Sequence, residues 1–162
     1  MKNMAVDEAI FRETLINHQP PTLRFFGWCR PSVSIGYFQE FKKEIHAEKC
    51  RLNCIDVVRR ITGGKAVYHW DEVTYSVAAA RTEACFPDHI GRTYEIISRC
   101  LSRGLAGIGL DAHLAGTALH KSGSPKRPST PCCFSVPSGN ELVMDGRKIC
   151  GSAQTRTQEG FL

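Results

Sequence analysis

The chain predicts an α/β fold of the α+β kind, and three observations point there. A stretch with helical spacing opens it, a strand from Ile55 to Arg60 runs into the paired glycines Gly63-Gly64, and Asp145-Gly146 separates two short apolar runs. A period near 3.6, a strand ending in a glycine turn and an Asp-Gly hairpin signal together call for helices and sheet in one domain. At 162 residues and 42% hydrophobic, the chain is long enough to bury a single sizeable core.

Taken in order, Asn3 is placed to cap a helix reaching about His18, with Asp7 and Glu8 near its positive end and Met4, Ala5, Ile10, Phe11 and Leu15 available for burial. Pro20-Pro21 ends it. Leu23 to Trp28 and Ser32 to Tyr37 read as short strands on either side of a proline turn. Phe41 to about Leu52 reads as one helix, closed by Asn53 in a left-handed conformation. Strands follow at Ile55 to Arg60, Lys65 to Tyr68 and Val73 to Ala80, and a helix at Ile90 to Leu105. Gly116 to Pro131 is polar and turn-rich and reads as a mobile surface loop. Asn140 to Met144 and Arg147 to Ser152 then form a hairpin about Asp145-Gly146, which sets Val143 opposite Lys148. No internal repeat is present.

Composition narrows the function classes. No apolar run approaches the ~20 residues of a membrane span, and acidic residues interrupt the apolar ones at the N-terminus, which leaves no secretory core. A cytosolic protein with no membrane partner is expected. The eight cysteines read as reduced thiols, since a chain with an ordinary core needs no disulfide framework. The net charge of +5 is spread along the chain, which argues against nucleic acid and suits small acidic protein partners. His46, Cys50 and Cys54 recur at helical spacing, yet three ligands along one helix do not easily converge on one ion, so no metal site is assigned.

Two segments carry the chemistry. Arg59-Arg60-Ile61-Thr62-Gly63-Gly64-Lys65-Ala66-Val67-Tyr68-His69 is a basic strand end entering a turn whose backbone amides can approach an anion or a polarised carbonyl. Cys133-Phe134 with Gly146-Arg147-Lys148-Ile149-Cys150-Gly151-Ser152-Ala153 supplies a thiol and an amine. A thiol, an ammonium and a backbone cradle are the parts that hold an acyl group as a thioester and pass it on. Read blandly, Gly63-Gly64 is an ordinary turn, Lys148 a solvated hairpin lysine and Lys126-Arg127 a solvated loop.

The motif Arg59-Arg60-x-Thr62-Gly63-Gly64-x-Ala66-Val67-x-His69, together with Gly146-Arg147-Lys148-Ile149-x-Gly151-Ser152-Ala153-Gln154, resembles the biotin/lipoate ligase and lipoyl/octanoyl transferase superfamily. Asn3-Met4-Ala5-x-Asp7-Glu8-Ala9, Pro31-Ser32-x-Ser34-Ile35-Gly36 and Asp71-Glu72-x-Thr74-Tyr75-Ser76 extend the likeness over nearly the whole chain. Cys133-Phe134-x-x-Pro137-Ser138 ahead of the lysine hairpin is similar to the cysteine-dependent octanoyltransferases of that superfamily. The resemblance implies one catalytic domain over residues 1–162, a mixed central sheet with flanking helices, and truncation at both ends. It implies an acyl tunnel floored by Arg60 to Gly64 and transfer of an octanoyl group from acyl carrier protein to a lysine of a lipoyl domain or of the glycine-cleavage H protein, with no cofactor. Alternatives are an ATP-dependent lipoate-protein ligase, an amidotransferase between lipoyl domains, and an idle fragment that only binds carrier protein.

Within that reading Cys133 is the nucleophile and Lys148 its electrostatic partner. A thiol of pKa 8.5 is only about 3% thiolate at pH 7, and lowering it by about 1.5 units gives roughly half. Cys132 competes, but neighbours on an extended segment point to opposite faces, so only one can face Lys148. Arg60, Thr62, Gly63, Gly64, His69, Gly151, Ser152 and Ala153 are the expected substrate-binding residues. His69 either contacts the acyl pocket or closes its strand, and the oxyanion donors are amides near Gly63-Gly64 or near Gly151-Ser152.

Overall fold

A computed structural model describes residues 2–115 and 141–162. In order these form α1 (Lys2–Ile16), β1 (Thr22–Phe26), β2 (Ser32–Ile35), α2 (Phe41–Glu44), α3 (Ala47–Leu52), β3 (Asp56–Arg59), β4 (Val67–His69), β5 (Thr74–Ala80), α4 (Ile90–Gly107), β6 (His113–Leu114), β7 (Leu142–Met144), β8 (Arg147–Cys150) and β9 (Gly160–Phe161). The mixed α/β class holds. Among the described residues the strands divide into three sheets, ordered β1-β5-β9, β3-β2-β4 and β6-β7-β8. The expected surface loop at 116–131, with Lys126-Arg127, lies outside the described residues, as do Cys132 and Cys133.

The contacts separate into two compact units, residues 1–83 with 153–162, and residues 84–152. In the first, β5 is the middle strand, antiparallel to both β1 and β9, and α1 packs on β5 and β9. Phe11, Ala78, Ala79 and Phe161 are buried there. A side chain at Gly160 would lie 2.4 Å from the Ala79 carbonyl and 2.7 Å from Leu15, so β9 and α1 close on β5 only where β9 carries glycine. The second sheet of this unit is mixed, with β2 parallel to β3 and antiparallel to β4. In the second unit, α4 packs on β6, and Leu142 and Val143 of β7 are buried.

Apolar spacing reads α1 in part: Phe11 is buried and Met4, Ile10 and Leu15 are half-buried as expected. Asn3 lies inside the helix rather than capping it: its amide donates to the Gly27 carbonyl at 3.0 Å and its Oδ1 accepts from Arg24 at 2.8 Å. The buried positions are Asp7, Phe11 and Thr14, while Ala5 is exposed. Asp7 is buried because Arg24 reaches it at 2.6 Å and Ser76 donates to it at 2.7 Å. That pair also sets the facing of β1, which turns Arg24 inward and leaves Leu23 and Phe25 exposed at 59% and 58%. Strand alternation alone would bury the two apolar residues.

Two further expectations are corrected. The single helix from Phe41 to Leu52 is two short ones, broken at Ile45-His46, because the His46 imidazole accepts the Lys49 amide and starts a new helix. Asn53 does not take the left-handed position; Cys54 does, at φ 53°, while the Asn53 side chain donates to the Lys49 carbonyl. His46 and Cys54 thus flank α3 instead of lining one helix face. The hairpin is as expected: Asp145 and Gly146 both have positive φ, the signature of a primed two-residue turn, and Val143 pairs with Lys148.

Removing one partner of a buried ion pair strands the other charge, so Asp7→Ala is expected to cost about 3–5 kcal/mol. Asp7→Asn, which keeps an oxygen for Arg24 and Ser76, costs less. Urea unfolding checks this, and a midpoint for Asp7→Ala equal to that of the parent would contradict it.

Candidate active site

The loop from β3 to β4 holds the paired glycines, and two arginines shape it. Arg59 donates from one nitrogen to the carbonyls of Gly36, Tyr37 and Gln39 at 2.9, 2.8 and 2.7 Å. Arg60 donates from Nη1 to the Ser34 carbonyl and hydroxyl at 2.9 and 3.0 Å, and from Nη2 to the carbonyls of Gly63 and Lys65 at 2.8 and 2.7 Å. The guanidinium fork matches a set of convergent carbonyl oxygens, which an ammonium could not span. Gly36 seats the turn from the other side. A Cβ there would lie 2.0 Å from the Gly64 carbonyl oxygen, and Tyr37 donates its amide to the Thr62 carbonyl at 3.0 Å. Gly64 has φ +92°, a region that disfavours side chains.

This bracing consumes carbonyls and leaves amides. The N–H groups of Gly63 and Gly64 donate to no protein group among the described residues, so the turn offers two unspent donors. Ala153 comes close to the same turn, its Cβ 3.7 Å from the position a side chain on Gly64 would take. Arg60, Thr62, Gly63, Gly64 and Ala153 are therefore neighbours.

His69, itself buried, joins this group through a polar chain. Its Nδ1 lies 2.5 Å from Glu72 Oε1 and its Nε2 lies 2.7 Å from Ser34 Oγ. A carboxylate only accepts, so Nδ1 carries the proton. Arg60 only donates, so the Ser34 hydroxyl turns its own proton to Nε2. Beyond Glu72, Thr74 donates to the same oxygen at 2.9 Å, and the Trp28 indole N–H donates to Thr74 at 2.8 Å. Trp28 also stacks on the imidazole, with centroids 4.0 Å apart. Burial pushes the His69 pKa below the ordinary histidine value; the Glu72 hydrogen bond and charge oppose this, and the nearby Arg60 charge adds to the lowering. The neutral imidazole is the form this environment favours.

Sequence reasoning did not assign Ser34, Glu72 or Trp28 to the site. The available signal was alternation in β2: Ser32 and Ser34 fall on one face and both are buried. A serine on the inward face of a short strand needs a partner.

Lys148, Gly151 and Ser152 belong to the second unit. Lys148 sits on β8, its side chain 4% exposed, and donates to Glu141 Oε1 at 2.6 Å. It is not a solvated hairpin lysine. Glu141, unassigned from the sequence, compensates a charge that burial would otherwise penalise. Cys150 shares the burial phase of Lys148 along β8, and burial pushes its thiol up, opposed by a hydrogen bond from Ser152 and by the Lys148 charge. Cys150 is thereby a poor nucleophile near neutral pH. The described cysteines form no disulfide with one another, and no group of metal-ligating side chains occurs among the described residues. No described helix is long and apolar enough to cross a membrane.

The family described as the lipoyl protein ligase A/B catalytic domain matches residues 1–162, and the chain belongs to it. An octanoyltransferase LipM from Kyrpidia tusciae is 44% identical over 160 residues, which cover 99% of this chain and 58% of that relative. A lipoate-protein ligase A solved with bound ATP aligns with a TM-score of 0.75 at 27% identity, covering 98% of this chain and 57% of that one. A bi-partite lipoate protein ligase from Thermoplasma acidophilum, solved in a study of that ligase and its E2 lipoyl domain, gives 0.71 at 28% identity over 98% of this chain and 52% of that one. The chain thus spans a little over half the length of these relatives.

Because the folded chain holds His69 neutral more strongly than the unfolded chain does, the unfolded form takes up this proton first as pH falls. The stability is complete above the unfolded value of about 6.5 and declines below it. The urea midpoint is expected to drop between pH 7 and pH 5, and to drop less in His69→Gln; equal slopes in the two proteins would contradict this.

Proposed function

We propose that this chain carries the catalytic domain of an octanoyltransferase of lipoate assembly, moving an octanoyl group from acyl carrier protein, through a thioester on Cys133, to a lysine of a lipoyl domain or of the glycine-cleavage H protein. The observation that carries this reading is the higher identity to an octanoyltransferase than to the two ligases. Both described units serve one domain over residues 1–162.

In this reading the Cys133 thiolate attacks the donor thioester carbonyl, the carbon–sulfur bond to the carrier breaks, and the carrier leaves as a thiolate that takes a proton from solvent. The acceptor lysine, as free amine, then attacks the Cys133 thioester. An amide forms, the second carbon–sulfur bond breaks, the thiolate returns, and the amine proton passes to solvent. Each step exchanges one activated acyl bond, so no nucleotide is needed. The Lys148 ammonium, held in a buried ion pair on a tight hairpin, supplies a fixed positive charge to stabilise a thiolate. Gly63 and Gly64 supply amides for the developing oxyanion, and Thr62, Gly151, Ser152 and Ala153 leave room for the chain of the acyl group. Arg60 and His69 act from behind the turn. The net charge of +5 favours encounter with acidic carrier and acceptor domains in the cytosol.

The likeness to an ATP-bound ligase supports a second reading, ligation of free lipoate with ATP. The two separate by intact mass. Octanoyl carrier protein without nucleotide is expected to leave one octanoyl adduct, lost in Cys133→Ala and retained in Cys132→Ala. An unchanged mass, with adenylate formed from ATP and lipoate, would move the assignment to the ligase.

Lys148→Ala is expected to raise the pH midpoint for alkylation of Cys133, followed by peptide mapping, whereas Lys148→Arg keeps the charge and holds the midpoint. Equal midpoints in the parent and Lys148→Ala would leave Lys148 as a binding residue only.

A further inference from the structure

The chain Glu72–His69–Ser34 has the order of carboxylate, imidazole and hydroxyl found in nucleophilic triads, and its distances of 2.5 and 2.7 Å fit one. Two facts set it apart. Ser34 is 1% exposed, so no substrate carbonyl reaches its oxygen, and that oxygen already accepts from Arg60 at 3.0 Å. The chain ends at an arginine instead of a substrate. From that arginine, the other nitrogen reaches the Gly63 and Lys65 carbonyls.

We propose that Ser34, His69 and Glu72 are positioning residues for the acyl-binding turn: they orient the Arg60 guanidinium, which holds the carbonyls of Gly63 and Lys65 so that the Gly63 and Gly64 amides stay available to the acyl carbonyl. The role of the turn rests on the octanoyltransferase reading; the orientation of the turn by the chain does not.

Direction is built in at both ends. Glu72 can only accept and Arg60 can only donate, so a single arrangement of protons satisfies every bond between them. A protonated imidazole would point Nε2–H at the Ser34 oxygen, which is then faced by donors on both sides, from His69 and Arg60. The hydroxyl proton of Ser34, a residue 1% exposed, would lose its acceptor. Among the described residues, the charged groups that act on the imidazole are Glu72, from the segment joining β4 to β5, and Arg60, from the end of β3; Ser34 of β2 and Trp28 contact the ring as neutral groups, and Thr74 of β5 links Trp28 to Glu72. The turn is therefore tied to a network that has two proton states, of which one fits.

The test combines a readout of the turn with a readout of the ligand. In the full chain, two-bond nitrogen–proton spectra report the His69 tautomer, and backbone amide shifts report Gly63, Gly64 and Lys65. Sodium octanoate serves as the acyl probe. Ser34→Ala is expected to move the three turn amides and weaken octanoate binding about tenfold, or ~1.4 kcal/mol. Ser32→Ala, on the same strand and with a hydroxyl that among the described residues donates to the Arg30 carbonyl alone, leaves both unchanged. Glu72→Gln retains the Nδ1–H tautomer, since its amide oxygen still accepts, whereas Glu72→Ala gives a mixture and follows Ser34→Ala in both readouts. Turn amides unmoved by Ser34→Ala, or moved equally by Ser32→Ala, overturn the proposal; an octanoyl ester on Ser34 overturns it in favour of a nucleophile. Moved amides in a parent protein that binds no octanoate uphold the positioning role and reject the octanoyl reading.

Discussion

The guanidinium of Arg60 is the constraint on which the first unit depends. Three loops or strands converge on it: β2 through Ser34, the paired glycines through Gly63, and the entry to β4 through Lys65. Each bond from a charged donor contributes about 1.5–3 kcal/mol in net terms, and a buried carbonyl deprived of that donor adds a desolvation penalty of its own. The arrangement closes only because Gly36 has no side chain where the Gly64 carbonyl passes. Backbone lies against backbone, and an arginine takes the place that a strand pair would otherwise fill.

The molecule repeats one device at three places. Asp7 with Arg24 and Glu141 with Lys148 each enclose a carboxylate beside a cation, and the part-exposed Glu72 sets its carboxylate beside the buried imidazole of His69. Buried pairs of this kind are weak sources of stability, since desolvation offsets much of the attraction. Their effect is geometric: a partner in the wrong place leaves a charge stranded, so competing arrangements are penalised. At Lys148 this fixes a positive charge on a rigid hairpin. At His69 it fixes which ring nitrogen holds the proton. At Arg24 it decides which face of β1 turns inward, and two apolar side chains are left exposed as a consequence.

Family membership and chain length pull in different directions. The family match runs from residue 1 to residue 162, yet the relatives are much longer. The exposed Leu23 and Phe25 on β1 belong to a sheet of three strands, β1-β5-β9, with α1 packed on β5 and β9. In the proposed reading, thioester transfer draws on a thiol at Cys133, an amine at Lys148 and amides at Gly63-Gly64. Free fatty acid chemistry would ask for more, because a carboxylate must first be activated.

The sequence alone determined the local features. Periodicity placed the helix at Ile90 and most strands, Asp145-Gly146 set the hairpin register that pairs Val143 with Lys148, and the motif about Gly63-Gly64 marked the turn. These depend on backbone preferences that act over a few residues. Tertiary structure decided the partners. Nothing near Lys148 in β8 names Glu141 seven positions earlier, and nothing near His69 names Ser34 or Arg60. The same gap made Asn3 look like a cap and Asp7 look like a dipole partner, when both are tied to Arg24. Spacing records which side of an element a residue occupies, whereas a buried polar group is placed by whatever donor or acceptor the fold brings opposite it.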